Sequence, residues 1–158
     1  MDLTKLISDK IMAGSIAGIT GGIIMEITNN ILNYLNYLNL RALDFAIILT
    51  KRHIAEDIAG IISGLLTHLL FAAITGVVLT YIMAYTYHQF YLLKGASIGF
   101  GTNFIFWIAA SLFELTKIIE APITTMLLFY STAVIHGIIT ALILTYFHRK
   151  LNKIYAKL

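Results

Sequence analysis

Small and polar residues recur every three or four positions from Gly14 to Asn36 and make one stripe: Gly14, Gly18, Gly22, Glu26, Asn29, Asn33 and Asn36. At about 100° per residue they fall within an arc of roughly 120°. The other faces carry Ile, Met, Leu and Tyr. The pattern predicts a helix over about 11–38 with its stripe turned away from lipid. The first half of the stripe is bare, so another helix backbone can come close. The second half is polar and needs partners.

Three more apolar stretches repeat the theme. A helix over about 54–87 puts Asp57, Gly60, Gly64, His68 and Thr75 on one face. A helix over about 93–119 carries Gly95, Gly99, Asn103, Ala110 and Glu114 as its stripe. A helix over about 122–147 opens at Pro122, whose missing N–H costs nothing there, and aligns Thr125, Thr132, His136 and Thr140. Gly60–Gly64 and Gly95–Gly99 are small-xxx-small packing motifs. Tyr34 and Tyr37, then Tyr81, Tyr85, Tyr87 and Tyr91, fit interfacial aromatic belts. Between the first two spans, residues 39–52 form a connection charged at Arg41, Asp44, Lys51 and Arg52. Its apolar piece Ala46–Leu49 is too short to span, and is expected to lie on the surface or to dip in as a re-entrant segment.

Composition turns this pattern into a fold class. The chain has 158 residues, 59% apolar and 12% charged, with mean hydropathy +0.85. Soluble domains are nearer 45–50% apolar and about 25% charged, and a chain this short cannot bury the excess from water. The expectation is an all-α integral membrane protein: one transmembrane domain over 1–158, a four-helix bundle of up-down topology. The net charge of +3 gathers toward the C-terminal tail, which suits a membrane surface rather than nucleic acid. With no cysteine, disulfides, thiolate metal sites and thiol catalysis are excluded. The start, MDLTKLISDK, mixes acids with lysines and reads as an amphipathic lead-in (Leu3, Leu6, Ile7) rather than a cleavable signal. Lys5, Lys10, Lys94, Arg149, Lys150, Lys153 and Lys157 fall on one side. Arg41, Lys51, Arg52 and Lys117 fall on the other, so both termini are expected in the cytoplasm, with the plasma membrane as the address.

Two fragments repeat. Ile74–Tyr81 matches Ile139–Tyr146, and Ser15-Ile16-Ala17 with Thr20 matches Ser97-Ile98-Gly99 with Thr102. The offsets are about 65 and about 82 residues, as a duplicated helical hairpin with one longer loop would give.

Each span carries an ionisable residue: Glu26, His68, Glu114 and His136. Such groups are costly in lipid and should face the interior. One reading is a polar pathway of Glu26, His68 and His136 with Asn29, Asn103 and Glu114. It would lie beneath an acidic outer mouth of Asp44, Glu56, Asp57, Glu114 and Glu120, which would concentrate cations. The plainer reading pairs Glu26 with His68 or an asparagine as a satisfied interhelical contact. A third makes His68 and His136 the axial ligands of a haem, since they sit on alternate spans at similar depth. No Glu-x-x-His pair supports a di-metal site, so no metal is expected. H-E-x-x-H, G-x-S-x-G and the P-loop are absent, and Asp44 and Asp57 are not placed as a protease dyad. Trp107, mid-span, is expected to pack inside or to meet lipid.

The glycine-rich first helix, the longer first outside loop, and Lys94-Gly95-x3-Gly99 leading to Trp107 resemble the small uncharacterised four-helix membrane proteins of bacteria. The resemblance implies a fold and a membrane address. The expected function is non-enzymatic: a small transport or channel component without a cofactor, dimerising through glycine stripes left over by the bundle. A haem-binding electron-transfer subunit and a purely structural membrane protein are the alternatives.

Overall fold

A computed structural model of the chain describes residues 7–51, 57–86 and 89–155. The described residues are helical, without strands. The elements are α1 (Lys10–Tyr34), α2 (Ala42–Lys51), α3 (Ile58–Tyr85), α4 (Tyr91–Leu112), α5 (Thr116–Ile119) and α6 (Ile123–Tyr155). Four of them, α1, α3, α4 and α6, are long and apolar enough to cross a membrane. Their outer faces expose Ile23, Ile27, Leu66, Leu70, Phe104 and Ile105, among others. Lipid covers such a surface without cost, and every helix satisfies its own backbone. The chain is a multi-pass membrane protein on these grounds.

Small residues set the packing. α1 packs most extensively on α3, and α4 on α6; α1 also lies along α6, while α3 and α4 touch sparingly. In the first pair Gly14 and Gly18 meet Ala72 and Gly76, and a methyl group added at Gly18 would fall on the Ala72 carbonyl. In the second, Gly95 and Gly99 meet Ala133 and Gly137, and a methyl at Gly99 would fall on the Ala133 carbonyl. Both pairs thus set Gly-x3-Gly against Ala-x3-Gly. This matching puts Gly14 and Gly18 in register with Gly95 and Gly99, and Ala72 and Gly76 with Ala133 and Gly137. The Ile74–Tyr81 and Ile139–Tyr146 match is therefore out of register by about one helical turn. Lys10 at the start of α1 sits over the rings of Tyr81 and Tyr85 near the end of α3, at 5.8 and 5.4 Å, so these two helices run antiparallel.

Helix ends differ from expectation in instructive ways. α1 stops at Tyr34, not at 38. Asn36 takes a left-handed φ of 62°, Asn36 N–H donates to Asn33 O, and Tyr37 N–H donates to Leu32 O. That is a Schellman stop, and Asn33 Nδ2 ties it by donating to Leu38 O at 2.7 Å. Asn36 is exposed and leaves the stripe. α4 ends the same way at Leu112 rather than 119: Glu114 has φ 52°, its N–H donates to Ser111 O, and Leu115 N–H donates to Ala110 O. Glu114 is thus an exposed turn residue outside the span. α3 begins at Ile58, with the Asp57 carboxylate capping Gly60 N–H at 2.9 Å. α6 continues unbroken past 147, so the basic tail through Lys153 is the end of that same helix. Leu3, Leu6, Glu56, Tyr87 and Lys157 lie outside the described residues.

The connection holds the largest surprise. Residues 42–48 of α2 are all buried, so this segment is an internal wedge rather than a surface helix. Its side chain Ile47 sits over Gly64 of α3, where an added Cβ would collide with it. Phe45 packs on Phe129 and, edge-on at 5.6 Å, on Trp107, which is therefore turned inward. Arg41 grips Asp44 twice at 2.9 Å, while Arg41 N–H donates to Asp44 Oδ2 at 2.8 Å, closing the first turn. The Asp44 hydrogen bond holds the Arg41 guanidinium above its ordinary pKa.

Candidate functional site

The site begins with bare backbone on α1. Because Gly18 and Gly22 lack side chains, imidazoles from two other helices reach their carbonyl oxygens. His68 Nε2 of α3 lies 3.3 Å from Gly22 O, and His136 Nε2 of α6 lies 3.3 Å from Gly18 O. A carbonyl only accepts, so both Nε2 atoms carry the proton and donate, and in the neutral ring Nδ1 keeps the lone pair. Gly21, on the flank of the same helix, gives His136 its room: a methyl there would stand 2.8 Å from His136 Cδ2.

The two histidines line one half-open cavity between the helices. Its walls come from α1 (Met25), α2 (Phe45, Ala46, Leu49), α3 (His68, Phe71, Thr75), α4 (Thr102, Asn103, Phe106) and α6 (Phe129, Ala133, His136). Its volume is about 70 Å³, where one water needs roughly 10–15 Å³. Thr75 and Thr102 donate their hydroxyls to Phe71 O and Ile98 O, at 2.9 and 2.7 Å. Asn103 is buried, and its Nδ2 has no hydrogen-bond partner among the described residues.

Glu26 lies behind His68. Its Oε1 accepts from Asn30 Nδ2 at 2.9 Å, and its Oε2 is 3.8 Å from His68 Nε2, with no hydrogen-bond partner of its own. The Arg41–Asp44 pair and the Leu43 N–H of α2 lie close enough to act on it electrostatically. On its other side is a groove along α1 and α3, lined by Ile23, Ile27, Ile31, Leu65 and Leu69. Glu26 thus lines the groove, while its neighbour His68 lines the cavity.

Of the residues singled out by sequence, the fold brings His68, His136 and Asn103 together, with Glu26 touching His68. Asn29 is fully buried, with both amide atoms unpartnered among the described residues, but it is not part of the cavity wall. Glu114 stands apart in its turn. The acidic mouth loses Asp44, which is buried and tied to Arg41, while Asp57 is exposed and caps α3. Gly64 receives α2 rather than a neighbouring span. Gly14, Gly18, Gly22, Gly95 and Gly99 all meet residues of this chain, so the surplus of glycine expected to serve a second copy does not exist at these positions.

In the sequence Thr102 shows only as part of the repeated fragment, and the four phenylalanines carry no motif. Sequence reading passed over Gly76 and Gly137. Those two were findable, since Ala72-x3-Gly76 and Ala133-x3-Gly137 are small-xxx-small pairs. Among the described residues no group of three or more His, Asp or Glu could hold a metal ion. No protein-family model matches the chain, and no curated protein or solved structure matches it.

Proposed function

We propose that this chain is a small, non-enzymatic transport component of the plasma membrane. In this reading it is one up-down four-helix domain with a duplicated hairpin and both termini in the cytoplasm. Its working part is the cavity between His68 and His136. One observation carries it: polar side chains from three separate helices converge on one half-open cavity between the apolar helices, where placing them is costly without a task. Glu26, joined to His68, supplies the ionisable group on the route between groove and cavity. The haem reading ranks second, because binding iron through Nε2 would require both histidines to give up their carbonyls on α1.

The test is reconstitution into liposomes. Proton movement is followed with a trapped pH dye, and the flux of small solutes with light scattering and radiotracers. Flux above that of empty liposomes, abolished by the plugging substitution Thr102→Phe, supports transport. A folded protein whose liposomes are as tight as empty ones overturns it.

A further inference from the structure

We propose that the cavity binds a small uncharged amide, of the size of urea or acetamide. The inference rests on the transport reading above and names what that site would take. It turns on Asn103. That side chain is buried between apolar helices, and its Nδ2 has no hydrogen-bond partner among the described residues. Asn30 and Asn33 differ: the first donates to Glu26 Oε1 and the second to Leu38 O. Asn29, Trp107 and Thr125 also carry unpartnered buried atoms, but none of them lines the cavity, and Asn103 does. A buried donor left without a partner is destabilising. The fold itself gains no bond from this Nδ2, and a guest in the cavity supplies one.

The rest of the wall narrows the class. Among the described residues no Lys, Arg, Asp or Glu is on it, so a charged guest would sit there without a counter-charge, which is costly away from water. The other polar side chains have spent their donors: both Nε2–H groups go to the Gly22 and Gly18 carbonyls, and both threonine hydroxyls go to Phe71 O and Ile98 O. Those four side chains keep lone pairs. The wall therefore offers the Asn103 amide donor beside several acceptors, and a matching guest must both accept and donate. An uncharged amide does so: its carbonyl oxygen accepts from Asn103 Nδ2, and its N–H groups donate to the lone pairs. The remaining surface is apolar and aromatic, with Phe71 and Phe106 edge to face at 5.1 Å and Phe45 and Phe129 4.3 Å apart. At about 15 Å³ per water, the 70 Å³ holds roughly five waters, which admits urea or acetamide and excludes a long or branched amide.

Binding and flux are measured separately so that each reading can fail alone. The protein in lipid nanodiscs is titrated with acetamide, with acetone, which has the same shape but no N–H, and with methylammonium, which is charged. Affinity is read by equilibrium dialysis against radiolabelled ligand. Position is read from the ¹⁵N side-chain resonance of Asn103, assigned by its loss in Asn103→Leu. The expected result is saturable acetamide binding, at least tenfold tighter than acetone or methylammonium, with the Asn103 resonance shifting in step. Asn103→Leu should weaken acetamide binding at least tenfold while circular dichroism and melting temperature hold. The ligand series uses the parent protein, so it decides the matter even where that variant fails to fold. The inference is overturned by no saturable binding, which would leave water alone as the occupant, by acetone or methylammonium binding as tightly as acetamide, by an Asn103 resonance that does not shift, or by a folded Asn103→Leu that binds acetamide like the parent. Acetamide binding without any flux in liposomes leaves the inference standing and removes the transport reading. Flux of other solutes without amide binding does the reverse.

Discussion

His136 donates from α6 to the carbonyl of Gly18, one helical turn along α1 from where His68 donates from α3 to Gly22, each at 3.3 Å. α1 is thereby clasped from two sides through its own backbone. The glycines serve two purposes at once: they let α3 approach, and they uncover the oxygens that the histidines use.

Close approach makes the glycines testable. Gly18→Ala and Gly99→Ala each drive a methyl group into a backbone carbonyl of the facing helix. Overpacking of this kind costs about 1–3 kcal/mol or more. Both variants should melt earlier in detergent than the parent. Gly101→Ala, with nothing within 4 Å of the added carbon, should melt with the parent or slightly later.

The seat of α2 can be tested by blocking it. Gly64→Leu fills the place of Ile47 and should expel the wedge. The chain has no cysteine, so a single Ala46→Cys reports directly on burial. That thiol should resist a membrane-impermeant maleimide in the parent background and react in the Gly64→Leu background.

These elements also mark how far the sequence could be read. The four apolar helices and the inward stripe of α1 were legible because a 3.6-residue period of glycine followed by polar groups has one economical solution in lipid. The depth of α2 was not. Its run from Ala42 to Leu49 is apolar apart from Asp44, and nothing in it distinguishes a helix lying on a surface from one buried all round. The helix stops at Asn36 and Glu114 were hidden for another reason: both take the left-handed conformation without glycine, so the usual signal was missing. For the site, the ionisable residues showed themselves by their rarity. The phenylalanines and threonines around them were indistinguishable from ordinary packing residues.

Those two stops carry a stability prediction. A non-glycine residue in the left-handed region costs on the order of 1 kcal/mol, less for asparagine than for glutamate. Glu114→Gly should therefore raise the unfolding free energy by about 0.5–1 kcal/mol, and Asn36→Gly by less. Chemical denaturation in mixed micelles measures both.

The Arg41–Asp44 pair is partly buried, with the carboxylate side chain only 7% exposed. Removing one partner leaves the other without its match, and should cost about 3 kcal/mol for Arg41→Ala. Asp44→Ala loses the backbone bond to Arg41 N–H as well, and should cost at least as much. The double substitution should cost less than the sum, with a coupling of about 1 kcal/mol or more in a double-mutant cycle.

The most direct measurement is the tautomeric state of the two histidines in lipid, read from ¹⁵N chemical shifts of histidine-labelled protein, with His68→Gln and His136→Gln providing assignments. Both rings should be protonated at Nε2 and bare at Nδ1, and each should show a through-space contact to α1 near Gly22 or Gly18. Rings protonated at Nδ1 and bare at Nε2, or rings averaging freely between tautomers in contact with acyl chains, would contradict the clasp on α1.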